Sequence, residues 1–289
     1  MNNRTPISHS FLINNKNMNV YEWPGEGDPI LLLHATGFHA RCWDQVIHQL
    51  PNAPIYAVDA LCHGQSDSID PPYSWLDFSS HLEALLNTLG INNITGVGHS
   101  FGGHLLTLAC ANIPERFKRA LLLDPVIGNP DYIKHWQKGA QTNNPVAKRR
   151  NQWSSVEELH KQLGGKVPYS TWAPEVFNDY CQFGLSLSDS HDGYQLACPP
   201  ACEAAIYGTI GAETIYSKLS RIQVPTTIIR AKERTADDAM FDFRPSPTWT
   251  ELAKQFPNAK DIYCADRTHF FPMEDPAFVA QHITSLYNQ

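Results

Sequence analysis

The sequence lacks any run of about 18 or more apolar residues, the length a helix needs to cross a membrane. Its opening, MNNRTPISHSFLINNKN, also lacks the apolar stretch of a secretory signal peptide, so a cytoplasmic protein with no membrane partner is expected. Basic charge is scarce. Lys and Arg number 22 against 29 Asp and Glu, a formal net charge of −7, and the run KRR at Lys148–Arg150 is short and isolated. Nothing of that kind neutralises a phosphate backbone, which argues against a nucleic-acid partner. Seven cysteines, an odd number scattered through apolar or loop contexts, do not make a disulfide framework and read as reduced thiols. CPPAC at Cys198–Cys202 has no second paired cluster, and none of the 13 histidines forms a ligand pair at helical spacing with a carboxylate partner. No metal site is expected.

What is present is an alternation. PILLLHA (Pro29–Ala35) and PIYAVDA (Pro54–Ala60) are short, uniformly apolar runs of the kind a strand buried on both faces needs. SFLI and MNVYEW, joined by NNKN, read as an opening hairpin. LDFSSHLEALLNTLG has apolar residues at helical spacing and closes on Gly90; the strand NITGVGHS, the helix FGGHLLTLACANIP and the strand RALLLDPV follow. After Pro125 the rhythm breaks. Residues 126–224 are rich in Trp, Tyr, Pro and Asn, with short amphipathic pieces such as SSVEELHKQL and EVFNDYCQFGL. It then resumes with VPTTIIRAK, a helix TWTELAKQFP, a strand KDIYCAD and a last helix DPAFVAQHITSLYN. Alternation implies an α/β fold: a mostly parallel central sheet flanked by helices, built from residues 1–125 and 225–289. About a hundred inserted residues are too many for a loop, so 126–224 is expected to be a helical cap inserted after the sixth strand.

The stretch VGHSFGGHLL holds Gly98-His99-Ser100-Phe101-Gly102, a G-x-S-x-G pattern that follows a strand and opens a helix. That is the context of a nucleophile elbow, a tight turn that small flanking residues make possible. The same turn lacks the lysine of a phosphate loop and the glycine spacing of a dinucleotide fold. A serine nucleophile needs a base, and RTHFFPMEDP supplies His269 in a loop between the last strand and the last helix.

Together LLLHATGFHARCWD, DALCHGQSD, GHSFGG, LLLDP and HFFPMEDP resemble the α/β-hydrolase fold superfamily over almost the whole chain, in its serine carboxylesterase-like form with a cap. The resemblance implies an oxyanion hole made by the backbone N–H groups of Thr36, in HATGF, and Phe101, although Ala35 stands where the family usually has glycine. It implies a structural role for Asp59, His63 and Asp67 in DALCHGQSD, and the same is expected of His34 and His99. Many members carry the triad acid after the seventh strand. The aligned residue here is Arg234, a cation, with Asp237, Asp238 and Asp242 nearby as alternatives. The fold also uses the end of the sixth strand, where Asp124 stands, and Asp124 is the preferred acid. The implied activity is that of a serine hydrolase cleaving small to medium carboxylic esters, with Ser100 as nucleophile, His269 as base and no cofactor. A C–C hydrolase, lactonase or thioesterase would use the same triad, and a non-catalytic ligand-binding member of the fold is the alternative class. A small-molecule ester is the expected partner, with a homo-oligomer left open.

Overall fold

The computed structural model describes residues 4–188, 192–210 and 215–289. An opening hairpin of β1 (Ile7–Ile13) and β2 (Lys16–Trp23) leads to β3 (Ile30–Leu33), the four-residue helix α1 (Asp44–Ile47) and β4 (Ile55–Val58). Next come α2 (Trp75–Leu89), β5 (Ile94–His99), α3 (Phe101–Asn112) and β6 (Phe117–Leu123). These strands join β10 (Thr226–Arg230) and β11 (Ala259–Tyr263) in one eight-stranded sheet of order β1-β2-β4-β3-β5-β6-β10-β11. Every pairing from β4 to β11 is parallel; the hairpin adds antiparallel at one edge.

The uniformly apolar strands are explained by burial on both faces. Leu31 and Leu33 of β3 join one core with α2 and α3, while Ile30 and Leu32 face the opposite core with α1 and the C-terminal helix α10 (Pro276–Tyr287). Among the described residues, no helix is long and apolar enough to cross a membrane.

Between β6 and β10 lie α4 (Pro130–Asn143), α5 (Val156–Leu163), α6 (Pro174–Phe183), α7 (Pro200–Gly208) and α8 (Tyr216–Leu219). The segment is not purely helical. Strands β7 (Gln152–Trp153), β8 (Leu185–Leu187) and β9 (Tyr194–Leu196) form a small antiparallel sheet of order β7-β9-β8. Two or three residues per strand carry too little alternation to be read in advance. The segment has its own apolar cluster, in which Trp153, Trp172, Phe177 and Tyr180 meet Phe270 of the core. The indole N–H of Trp75, on α2, donates to Ile206 O of α7 at 3.1 Å and ties the inserted segment to the sheet's helices.

A second difference concerns TWTELAKQFP. It forms only a 3-10 turn at Leu252–Gln255, not a helix. Its first residues are already committed, with Thr248 bonded to Asp124 and Pro125 and the Trp249 N–H to Ile127 O, which leaves too little free chain for an α-helix. The short helix α9 (Phe271–Glu274) precedes α10.

Candidate active site

Ser100 stands between β5 and α3 with φ 57° and ψ −115°, a conformation that non-glycine residues rarely adopt. Such a backbone costs on the order of 1–3 kcal/mol and persists only where its surroundings over-determine it. Here they do: Ser100 N–H donates to Leu123 O, and Ser100 O accepts from the N–H groups of His104 and Val126. The flanking glycines are steric necessities. A Cβ on Gly98 would stand 2.4 Å from Gly102 O, and one on Gly102 would stand 2.3 Å from Leu33 O. The turn is therefore pressed against β3, and the serine side chain is left at the carboxyl end of the sheet.

His269 reaches the same point from the loop after β11. Its Nε2 lies 3.0 Å from Ser100 Oγ and its Nδ1 lies 2.6 Å from Asp124 Oδ2. Asp124 follows the last residue of β6 with φ 47°, fully buried. Three more donors hold its other oxygen: Ser246 Oγ at 2.5 Å, Thr248 Oγ1 at 3.1 Å and Ala231 N–H at 3.1 Å. Burial alone would raise the Asp124 pKa. The hydrogen bond and charge of His269, with Ser246 and Ala231, outweigh it and hold the carboxyl below its ordinary value. An ionised Asp124 fixes the proton of His269 on Nδ1 and leaves Nε2 free to accept from the serine hydroxyl.

The other carboxylates lie elsewhere. Asp238 accepts from Thr235 N–H and Oγ1, Asp242 pairs with Arg244 at 2.6 Å, and Asp237 is exposed on the same loop. Arg234 donates to Ala239 O and Asp242 O.

Thr36 is buried beside Ser100, and Phe101 begins α3. Among the described residues neither backbone N–H has a hydrogen-bond acceptor, although Gly102 N–H next along donates to His34 O. Two unspent donors beside one hydroxyl can hold a developing oxyanion.

DALCHGQSD knits the neighbouring loops. Asp59 accepts from the N–H groups of Ala40 (2.7 Å) and Gln65 (2.9 Å) and from Asn19 Nδ2, Asp67 accepts from Asn17, and His63 Nε2 accepts from Gly37 N–H. His34 Nε2 accepts from Ala60 N–H. Burial pushes Asp59 up to about 6, against the pull of its donors.

A cavity of about 50 Å³ contains Ser100 and His269 in its lining, with Val126, Ile133, Trp136 and Phe243 among its apolar walls. Of the aromatic residues between β6 and β10, Tyr132, Trp136 and Tyr207 line it, whereas Trp153, Trp172, Phe177 and Tyr180 pack in the segment's own cluster and Phe183 lies under Arg41. Sequence reasoning missed Ser246 and Thr248. They sit in a proline-broken stretch over 120 residues from Asp124, and no local pattern marks them.

A family model described as the alpha/beta hydrolase family matches residues 30–282. The chain is 38% identical over 100 residues to Lipase LipV of Mycobacterium tuberculosis, covering 34% of this chain and 37% of that protein. It is 28% identical over 116 residues to the (E)-2-((N-methylformamido)methylene)succinate hydrolase of Acinetobacter baylyi, covering 40% and 44% respectively. The matched stretches thus span less than half of either relative. A crystal structure of E-2-(acetamidomethylene)succinate hydrolase superposes with a TM-score of 0.77 at 18% identity over 99% of this chain and all of that one. The enol-lactonase of Burkholderia xenovorans gives 0.70 at 18% identity over 97% and 100%. At these identities the two structures speak for the shared fold.

Proposed function

The chain belongs to the alpha/beta hydrolase family, and from that membership we propose that it is a serine esterase cleaving small carboxylic esters through an acyl-enzyme. One observation carries the reading: a serine hydroxyl, an imidazole and a buried carboxylate joined by hydrogen bonds of 3.0 and 2.6 Å beside an apolar cavity.

Ser100 Oγ attacks the ester carbonyl carbon while His269 Nε2 takes the hydroxyl proton. Asp124, already bonded to Nδ1, stabilises the imidazolium without taking its proton. The carbonyl oxygen, now carrying the charge, accepts from Thr36 N–H and Phe101 N–H; losing one such donor typically costs about 3–4 kcal/mol of barrier. The tetrahedral intermediate collapses by breaking the bond to the alkoxy oxygen, which leaves with the proton from His269. Water then repeats the sequence on the acyl-enzyme, releases the acid and returns the proton to Ser100. At about 50 Å³ the cavity suits a short acyl group, being several water volumes and well short of a benzene-sized void. The inserted segment between β6 and β10 acts in this reading as the cap that supplies Trp136 and Tyr207 to the cavity wall.

The test is labelling. A fluorophosphonate probe should modify one serine, identified as Ser100 by peptide mass spectrometry, and Ser100→Ala should lose both labelling and hydrolysis of p-nitrophenyl acetate. Hydrolysis by Ser100→Ala at near the wild-type rate would end the assignment, and an unlabelled, inactive wild type would favour a ligand-binding role.

A further inference from the structure

Arg234 is out of keeping with its surroundings. It stands on the loop after β10, half-buried, in the lining of the cavity that holds Ser100 and His269. Among the residues lining that cavity it is the one Lys, Arg, Asp or Glu. Its guanidinium is clamped by two main-chain carbonyls, Nη1 donating to Ala239 O at 2.8 Å and Nη2 to Asp242 O. Its Nε–H is buried with no acceptor. Among the described residues no carboxylate lies within ion-pair distance of it, and the nearby acids are already engaged, Asp238 with Thr235 and Asp242 with Arg244. Asp238 and Asp242 feel its charge from a distance without pairing with it, so a half-buried cation beside apolar walls keeps one donor unsatisfied and has no direct ion-pair partner. A planar fork fixed by two carbonyls is suited to receive a carboxylate in a defined orientation.

Its position adds a second point. Arg234, Tyr132 and Pro247 line both this cavity and an adjoining one of about 490 Å³, whose other walls include Asn129, His135 and Thr248 together with two carboxylates, Glu233 and Asp238. Arg234 therefore stands where the small cavity meets a wider, more polar space, and the Tyr132 hydroxyl interacts with its guanidinium.

We propose that Arg234 is a specificity residue that binds a carboxylate carried by the substrate, so that the preferred esters are short and anionic. The proposal rests on the esterase reading and narrows its substrate class. The carboxylate can belong to the acyl half or to the alcohol half of the ester, and the same contact serves both.

The test uses matched pairs differing only in charge. Monomethyl glutarate and its terminal amide probe the acyl half; acetoxyacetic acid and acetoxyacetamide probe the alcohol half. The wild type should favour the acid over the amide in kcat/KM by about tenfold or more in at least one pair, and the pair that responds identifies the half. Arg234→Gln should remove that preference, and Arg234→Lys should restore part of it. Binding is read separately by calorimetry with glutarate on Ser100→Ala protein, where Arg234→Gln should weaken affinity about tenfold. Equal turnover of acid and amide by the wild type in both pairs overturns the carboxylate site and leaves the esterase standing; this needs no variant and so does not depend on how Arg234→Gln folds. Glutarate binding that requires Arg234, in a wild type that turns over no ester, sinks the esterase and leaves the anion site.

Discussion

His99 donates from Nε2 to the main-chain carbonyl of His269 at 2.9 Å, so the residue before the elbow serine holds the loop that delivers its partner imidazole. A carbonyl only accepts, which puts the His99 proton on Nε2 and leaves Nδ1, buried, with no partner. Burial and the neighbouring His269 bring His99 down to about 3, so the ring stays neutral and the bond keeps its sense across the physiological range.

Asp124→Asn should lower kcat for a p-nitrophenyl ester by about 10³–10⁴, because an amide in that position favours the wrong imidazole tautomer. Asp238→Asn, on an exposed turn with Thr235, should stay within about twofold of the wild type. The reverse ranking in steady-state assays moves the acid to the later loop.

Ser246→Ala removes the 2.5 Å bond to Asp124 and leaves Thr248 and Ala231 to hold that oxygen. Since Ser246 touches the carboxylate and acts through it, kcat should fall by about tenfold while KM changes by no more than about twofold. A loss expressed mainly in KM would point to pocket distortion.

Gly102→Ala would put a methyl group 2.3 Å from Leu33 O and 2.7 Å from His34 O, where backbone cannot give way cheaply. Urea unfolding should show a loss of about 2 kcal/mol or more. Unchanged stability would mean that the elbow does not press on β3 as described.

Asp59 gives a pH dependence of known sign. Its folded pKa of about 6 lies above the 3.8 of an exposed aspartate, so between those values the folded state binds more protons than the unfolded one. Its contribution to stability therefore rises as pH falls from about 7 towards 4, by on the order of 2 kcal/mol. Asp124 runs the other way. Held below 3.8 when folded, it stabilises above that value, and the contribution is lost as pH falls through its folded pKa. Urea titrations of wild type, Asp59→Asn and Asp124→Asn from about pH 7 to about pH 2 separate the two, since Asp59→Asn should flatten the slope above 3.8 and Asp124→Asn the slope below it. Parallel curves for all three proteins would contradict both assignments.

Much of this was legible because the relevant signals are local. Apolar runs flanked by turn residues mark β3, β4, β5 and β6, and a serine between glycines at a strand-to-helix junction marks the elbow. Asp124 was legible as a single acid at the end of an apolar strand, but Arg234 drew attention only as an obstacle, since its cavity exists only once β10 is beside β6. Ser246, Thr248 and the His99 bond are contacts between segments more than 120 residues apart, and no periodicity encodes them. The strands β7, β8 and β9 are held by pairing with one another and by the cluster around Trp153, not by alternation within any of them.

Ser100 and Asp124 each follow directly on a paired position, His99 opposite Leu123 in the β5–β6 register. The backbone positions that carry the hydroxyl and the carboxylate are thus set side by side by the pitch of two hydrogen-bonded chains, about 4.8 Å, and the imidazole of His269 spans the gap between the two side chains. Slipping β6 by a single residue would carry Asp124 about 3.3 Å along the strand and turn its side chain to the opposite face. Alignment of the two groups therefore survives as long as the central sheet does, and whatever adjustment a bound molecule demands must fall to the His269 loop.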